Sequence, residues 1–148
     1  TLTRDALTDL LDREGFAGLY DFVYVPSRFS NMVCFGYAFL NFVSEEAARA
    51  CTERFQGFTR WGVECESPCL VSSRTIHQGL AAHVELYRNS PVMHHSVADG
   101  CKPALFHAGL HVPFPPPSRA IKAPRLRRAK PEDKEADEAD RAAGQRGR

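Results

Sequence analysis

Residues 35 to 42 read FGYAFLNF, placing Phe35, Tyr37 and Phe39 at intervals of two with Gly36, Ala38 and Leu40 between or after them. In an extended strand successive side chains point to opposite faces. One face is therefore expected to carry Phe35, Tyr37, Phe39 and Asn41, and the other Gly36, Ala38, Leu40 and Phe42. Flat rings on an open sheet face can stack nucleobases. The plainer alternative is an ordinary buried strand of a two-layer domain.

A second group that could do chemistry is Cys65 and Cys69, followed by His77, His83, His94, His95, His107 and His111. A zinc site needs four ligands, and neither a second closely spaced cysteine pair nor a regular histidine pair completes the set. No metal is expected. Five cysteines in a chain without a secretory leader pattern predict free thiols rather than a disulfide framework. A phosphate-cradling glycine loop and a nucleophile elbow are both lacking, so neither catalysis nor a cofactor is expected.

The elements that must position these residues can be read from pattern. Thr3 as N-cap, Asp5 in the first turn and Leu7, Leu10 and Leu11 at helical spacing predict an amphipathic helix over 3–13, ended by Gly15. Tyr20 to Val25 reads as a strand closed by Pro26. A polar loop, 27–31, leads to a strand over 34–42. Ser44 then caps a second helix with Glu45 and Glu46 in its first turn, Ala47, Ala48, Cys51 and Phe55 on one face, and Gly57 at its end. Residues 69–73 form a further candidate strand, and 79–88 a third helix with Leu80, Val84 and Tyr87 on one side. Strand alternation alone leaves open whether Phe22 and Tyr24 extend the ring face or enter the core. Trp61 reads as a loop or core anchor.

The 148 residues suit one domain with appendages, here 1–90, followed by a Pro-rich extension over 91–118 that packs through Leu105 and Phe106, and a tail over 119–148. The tail holds ten Lys and Arg against six Asp and Glu, a balance of +4, whereas 1–118 holds nine against twelve, a balance of −3. Within the tail, 119–130 has six basic and no acidic residues, and 132–140 six acidic and one basic. This composition predicts disorder. No run approaches the roughly 20 apolar residues of a membrane span, and an intracellular location is expected. Arg125 to Lys130 resembles a short nuclear localisation signal that equally suits an RNA-binding arm.

The octamer fits the consensus [K/R]-G-[F/Y]-[G/A]-F-V-x-[F/Y] at positions two to five and eight, with Leu40 for Val at six and Phe35 in place of the basic first residue. With EGFAGLYDFVYVP (14–26), Phe29, Asn31, Ala47-Ala48, Arg88-Asn89-Ser90 and Cys101-Lys102-Pro103, it resembles the RNA recognition motif of the Mei-two-like proteins. The resemblance implies an α+β, ferredoxin-like fold: a split βαβ with an antiparallel sheet, helices on one face and a C-terminal helical extension. It implies that Tyr37 and Phe39 stack bases of single-stranded RNA, that Gly36 and Ala38 are small core-side positions, and that Phe42 is a core ring. Asn41, Tyr24, Arg28, Arg74 and the phosphate-contact position held by Phe35 complete the expected RNA-binding set.

The same resemblance places the family's first strand before Thr1, between the 34–42 strand and the last strand of the sheet, so the motif is expected to be N-terminally truncated; the alternative is that 104–112 folds back into that gap. Phe35 and the acidic fold suit an alternative, a degenerate motif used as a protein-interaction module, with the Pro113 to Pro117 run offering a polyproline ligand to a protein partner.

Overall fold

The computed structural model describes residues 2–63, 67–72 and 78–125. Helix α1 spans Arg4–Leu11, its first turn capped by the Thr3 hydroxyl, which accepts from the Ala6 N–H at 3.1 Å. A wider turn, Asp12–Phe16, continues it and ends through Gly15 at φ +96°. This is the left-handed region that glycine enters without a Cβ penalty.

Strand β1 is Tyr20–Tyr24 and strand β2 is Phe39–Phe42, paired antiparallel with Tyr24 opposite Phe39, Val23 opposite Leu40 and Phe22 opposite Asn41. Helix α2, Glu45–Phe55, follows, with the Ser44 hydroxyl accepting from the Ala47 N–H at 3.1 Å. Helix α3 is Leu80–Arg88. Two short 3₁₀ turns, Pro91–Met93 and Asp99–Cys101, lead to strands β3, Ala104–His107, and β4, Leu110–Val112. The sheet order is β2-β1-β3-β4, and every neighbouring pair is antiparallel. Ala108 and Gly109, both at positive φ (50° and 80°), turn the β3–β4 hairpin, as the twist of a two-residue connection requires.

The main core lies between one sheet face and α1 and α2. Leu7, Leu10, Leu11, Phe16, Tyr20, Val23, Val25, Cys51, Phe55 and Phe58 are buried there. Phe42 reaches it as a half-buried ring edge-on to Phe16, and Trp61 packs against Phe55 and Phe58. Because Val23 points into this core, Phe22 and Tyr24 must point to the other face. That face carries α3, so the sheet lies between two helical layers.

Three expectations change. First, 34–42 is regular only over 39–42. Pro26 has no N–H, and its carbonyl accepts from the Phe35 N–H at 3.0 Å. Between that bond and the Tyr24–Phe39 pair, Val25 faces three residues, Gly36, Tyr37 and Ala38, and Gly36 takes φ +93°. The surplus forms a bulge, so Gly36 and Ala38 are exposed rather than packed against the helices. Second, residues 69–72 are outside the sheet. Cys69 exchanges backbone hydrogen bonds with Gly57 (2.7 Å) and Phe58 (2.9 Å), and the Val71 N–H donates to Gln56 Oε1 at 2.9 Å.

Third, 104–112 is not irregular, and it does not lie beside β2. It forms two strands that extend the opposite edge of β1, with Leu105 across from Phe22. Leu105 then faces α3 while Phe106 meets Tyr20 at 5.0 Å on the helical side. Arg4 fixes this segment from α1. Its buried guanidinium donates to the Asp99 carbonyl (2.7 Å), the Lys102 carbonyl (3.0 Å) and the Asp99 carboxylate (3.0 Å).

Candidate nucleic-acid interface

The sheet face opposite α1 and α2 holds a connected group of rings. Tyr24 and Phe39, cross-strand partners, lie nearly parallel at 6.3 Å, and Tyr37 meets Phe39 edge-on at 5.7 Å. The bulge lifts Tyr37 into solvent at 54% exposure, whereas Phe39 and Tyr24 are half-buried. Rings held by one another and open on one side are preorganised for stacking, because little rotamer freedom remains to be lost on binding.

Helix α3 bounds this group. His83 stacks on Phe22 at 4.6 Å and 18°, and Tyr87, one turn later, stacks on Phe22 at 5.7 Å and touches Tyr24 at 4.9 Å. Phe22 is thereby withdrawn from water altogether. Burial pushes the Tyr24 hydroxyl up to about 12, with nearby Tyr87, Tyr37 and Cys101 adding smaller contributions. Burial, then Tyr37, also raises Tyr87. The helix side expected to carry Leu80, Val84 and Tyr87 is in fact His83 and Tyr87. The signal that marks it is their i,i+4 spacing, which puts two rings on one helix face.

The expected site residues divide accordingly. Tyr37, Phe39 and Tyr24 are together. Asn41 lies on the same face of β2, its amide donating to Asp21 Oδ1 at 2.7 Å and the Phe42 carbonyl at 3.3 Å. Phe35 is exposed at 51% and, among the described residues, stacks on no other ring. Arg28 is half-buried at the neck of the 26–35 loop, where its N–H donates to the Val33 carbonyl at 2.9 Å and its carbonyl accepts from Met32 at 2.8 Å. Arg74, Cys65 and residues 126–148 lie outside the described residues, and with them most of the basic-then-acidic tail. Among the described residues no cluster of three His, Cys, Asp or Glu is arranged to hold a metal, and no helix is long and apolar enough to cross a membrane.

A four-stranded antiparallel sheet with two helices on one face and an aromatic cluster on the other defines an α+β module of the ferredoxin-like class. Over residues 1–88 the sequence matches the family model described as RNA recognition motif 2, and the chain belongs to that family. It is 34% identical over 122 residues to Meiosis protein mei2 of Schizosaccharomyces pombe, covering 80% of this chain and 16% of the relative. Protein MEI2-like 3 of Arabidopsis thaliana is 33% identical over 104 residues, 70% of this chain and 13% of the relative. Protein MEI2-like 4 of Oryza sativa subsp. japonica is 32% identical over 107 residues, 69% of this chain and 10% of the relative. The chain thus spans a small part of the length of the relatives it matches, and its motif is of the Mei-two-like kind.

Proposed function

We propose that this chain binds single-stranded RNA on the ring cluster of the sheet, with bases stacked on Tyr37 and Phe39. The observation that carries this reading is the Tyr24–Phe39–Tyr37 chain of ring contacts on a face turned away from the main core. Each stacked base contributes about 1 to 3 kcal/mol. Tyr24 supports Phe39 from the neighbouring strand, Asn41 offers hydrogen-bonding capacity beside it, and Phe35 and Arg28 extend the site outward; Arg74 is assigned to the same RNA-binding set and lies outside the described residues. RNA binding in meiotic or developmental regulation is the role that fits relatives with these names, a role exercised inside the cell, in nucleus or cytoplasm. No catalytic role is assigned.

The test is fluorescence anisotropy of labelled single-stranded RNA pools with the chain and with Tyr37→Ala/Phe39→Ala. Binding that weakens by about 2 kcal/mol or more in a folded variant supports the reading. A second reading, protein docking, draws on the exposed apolar Phe35 where a basic residue is usual and on the −3 balance of 1–118. A folded chain that ignores RNA at every salt concentration would favour it.

A further inference from the structure

The consensus position that ordinarily supplies a phosphate contact is Phe35, and 1–118 is net acidic, so the RNA-binding reading leaves the phosphate charge poorly matched by the fold, where Arg28 is the one described cation assigned to the site. The C-terminus of α3 supplies a partner for it indirectly. Arg88 donates to the Pro116 carbonyl from Nε at 3.2 Å and from Nη2 at 2.8 Å, while Nη1 pairs with Glu85 at 3.0 Å. Asn89 closes a two-point contact with Ser118. Its Nδ2 donates to the hydroxyl and its Oδ1 accepts from the backbone N–H, both at 2.9 Å.

These four hydrogen bonds join positions 28 or 29 residues apart. They fasten the end of the Pro-rich strap to the residues that directly follow Tyr87, the α3 ring in contact with Tyr24. The chain leaves this clasp as Arg119, Ala120, Ile121, Lys122, Ala123, Pro124 and Arg125, and all three basic residues are exposed. A proline-stiffened strap fixed at Ser118 confines the start of this arm far more than a free tail would be confined, which raises its effective concentration near the rings.

We propose that the Arg88/Asn89 clasp holds the basic arm beginning at Arg119 next to the ring cluster, so that Arg119, Lys122 and Arg125 make the phosphate contacts that Phe35 cannot. This inference rests on the RNA-binding reading. Stacking on Tyr37 and Phe39 then fixes the bases, and the arm neutralises the backbone that connects them.

The experiment is anisotropy with labelled random-sequence single-stranded RNA between about 50 and about 200 mM salt, where each phosphate contact on a single strand contributes about 0.7 to the slope of log K against log salt. Four full-length proteins are compared: the unmodified chain, Arg119→Ala/Lys122→Ala/Arg125→Ala, Arg88→Ala/Asn89→Ala, and the combination of all five. The arm variant changes only exposed residues outside helices and strands, so its fold is retained and verified by circular dichroism.

The expected result is a slope lower by about 2 in the arm variant, several-fold weaker binding in the clasp variant at low salt, and a smaller cost of arm removal once the clasp is broken. An unchanged slope in the arm variant, or full additivity of arm and clasp changes, would overturn the proposal while leaving stacking on the rings intact. Absence of binding by the unmodified chain would overturn the RNA-binding reading, and this inference with it.

Discussion

His83 lies over Phe22 with ring centroids 4.6 Å apart and planes 18° from parallel, on the side of β1 opposite Val23. This contact turns a sheet face that could have been open along its whole width into one that is half closed. Phe22, Leu105, His83 and Tyr87 make a second small layer that takes Phe22 out of water, whereas Tyr24 and Phe39 stay half-buried and Tyr37 exposed.

The second layer should contribute to stability in its own right. Phe22→Ala removes a ring with no solvent exposure, and a cost of about 3 to 5 kcal/mol is expected from the lost burial and the cavity left behind. Urea unfolding followed by far-ultraviolet circular dichroism measures it. Tyr37→Ala, at an exposed position, should shift the midpoint far less. Equal losses at the two positions would contradict the half-closed face.

Acid should loosen the attachment of α1 to the 99–102 turn. The hydrogen bond from Arg4 and its charge hold the Asp99 carboxyl below its ordinary 3.8, although partial burial opposes them. A carboxyl lowered in the folded state contributes stability that is present above its unfolded value and lost as pH falls through the folded one. Stability should therefore decline as pH drops from about 4 downward, and this part of the decline should vanish in Asp99→Asn. Thermal melts across that range compare the two proteins.

The bulge before β2 depends on Gly36. A Cβ added there meets no atom within 4 Å, but φ is +93°, so the cost is backbone strain and not collision. Gly36→Ala should destabilise by about 1 to 2 kcal/mol and shift Tyr37 relative to Phe39. Loss of stability in urea together with weaker RNA binding is expected. A substitution neutral in both assays would show that Tyr37 does not need the bulge.

Thiol chemistry should separate the cysteines. Burial pushes Cys51 up to about 12, with Cys69 adding a little, and burial also raises Cys101 against the lowering influence of Arg4. Since the thiolate is the nucleophile, both should resist alkylation at neutral pH. Peptide mapping after brief iodoacetamide treatment should find Cys51 and Cys101 unmodified until denaturant is added.

Much of the frame is legible in the residues, because its signals are local. Thr3 and Ser44 mark helix starts by their capping hydroxyls, Gly15 and Gly57 mark the ends, and Pro26 stops β1. The consensus at 35–42 points to rings on the sheet, and Tyr37, Phe39 and Tyr24 are in fact neighbours. What stays hidden depends on partners distant in sequence. Nothing near Ala104 states that its strand joins the far edge of β1, and the Pro-rich context obscures a hairpin whose turn is made by Ala108 and Gly109. Strict alternation misses the bulge because it runs through Gly36, whose positive φ interrupts it. His83 looks like one of several scattered histidines, since its role exists only once Phe22 is opposite.

The pairing of β1 also has a consequence for how the molecule is made. Phe22 pairs with Asn41 on one side and with Leu105 on the other, so its first neighbour emerges soon after it during synthesis and its second only much later. At translation rates of about 5 to 20 residues per second, one backbone edge of β1 and the ring of Phe22 wait on the order of several seconds for α3 and the hairpin. During that interval the nascent chain carries an unpaired apolar strand edge, the feature that invites association with other chains. The growing polypeptide is thus most vulnerable to aggregation after α2 has formed and before Ala104 arrives, and a ribosome stall between those points would prolong that exposure.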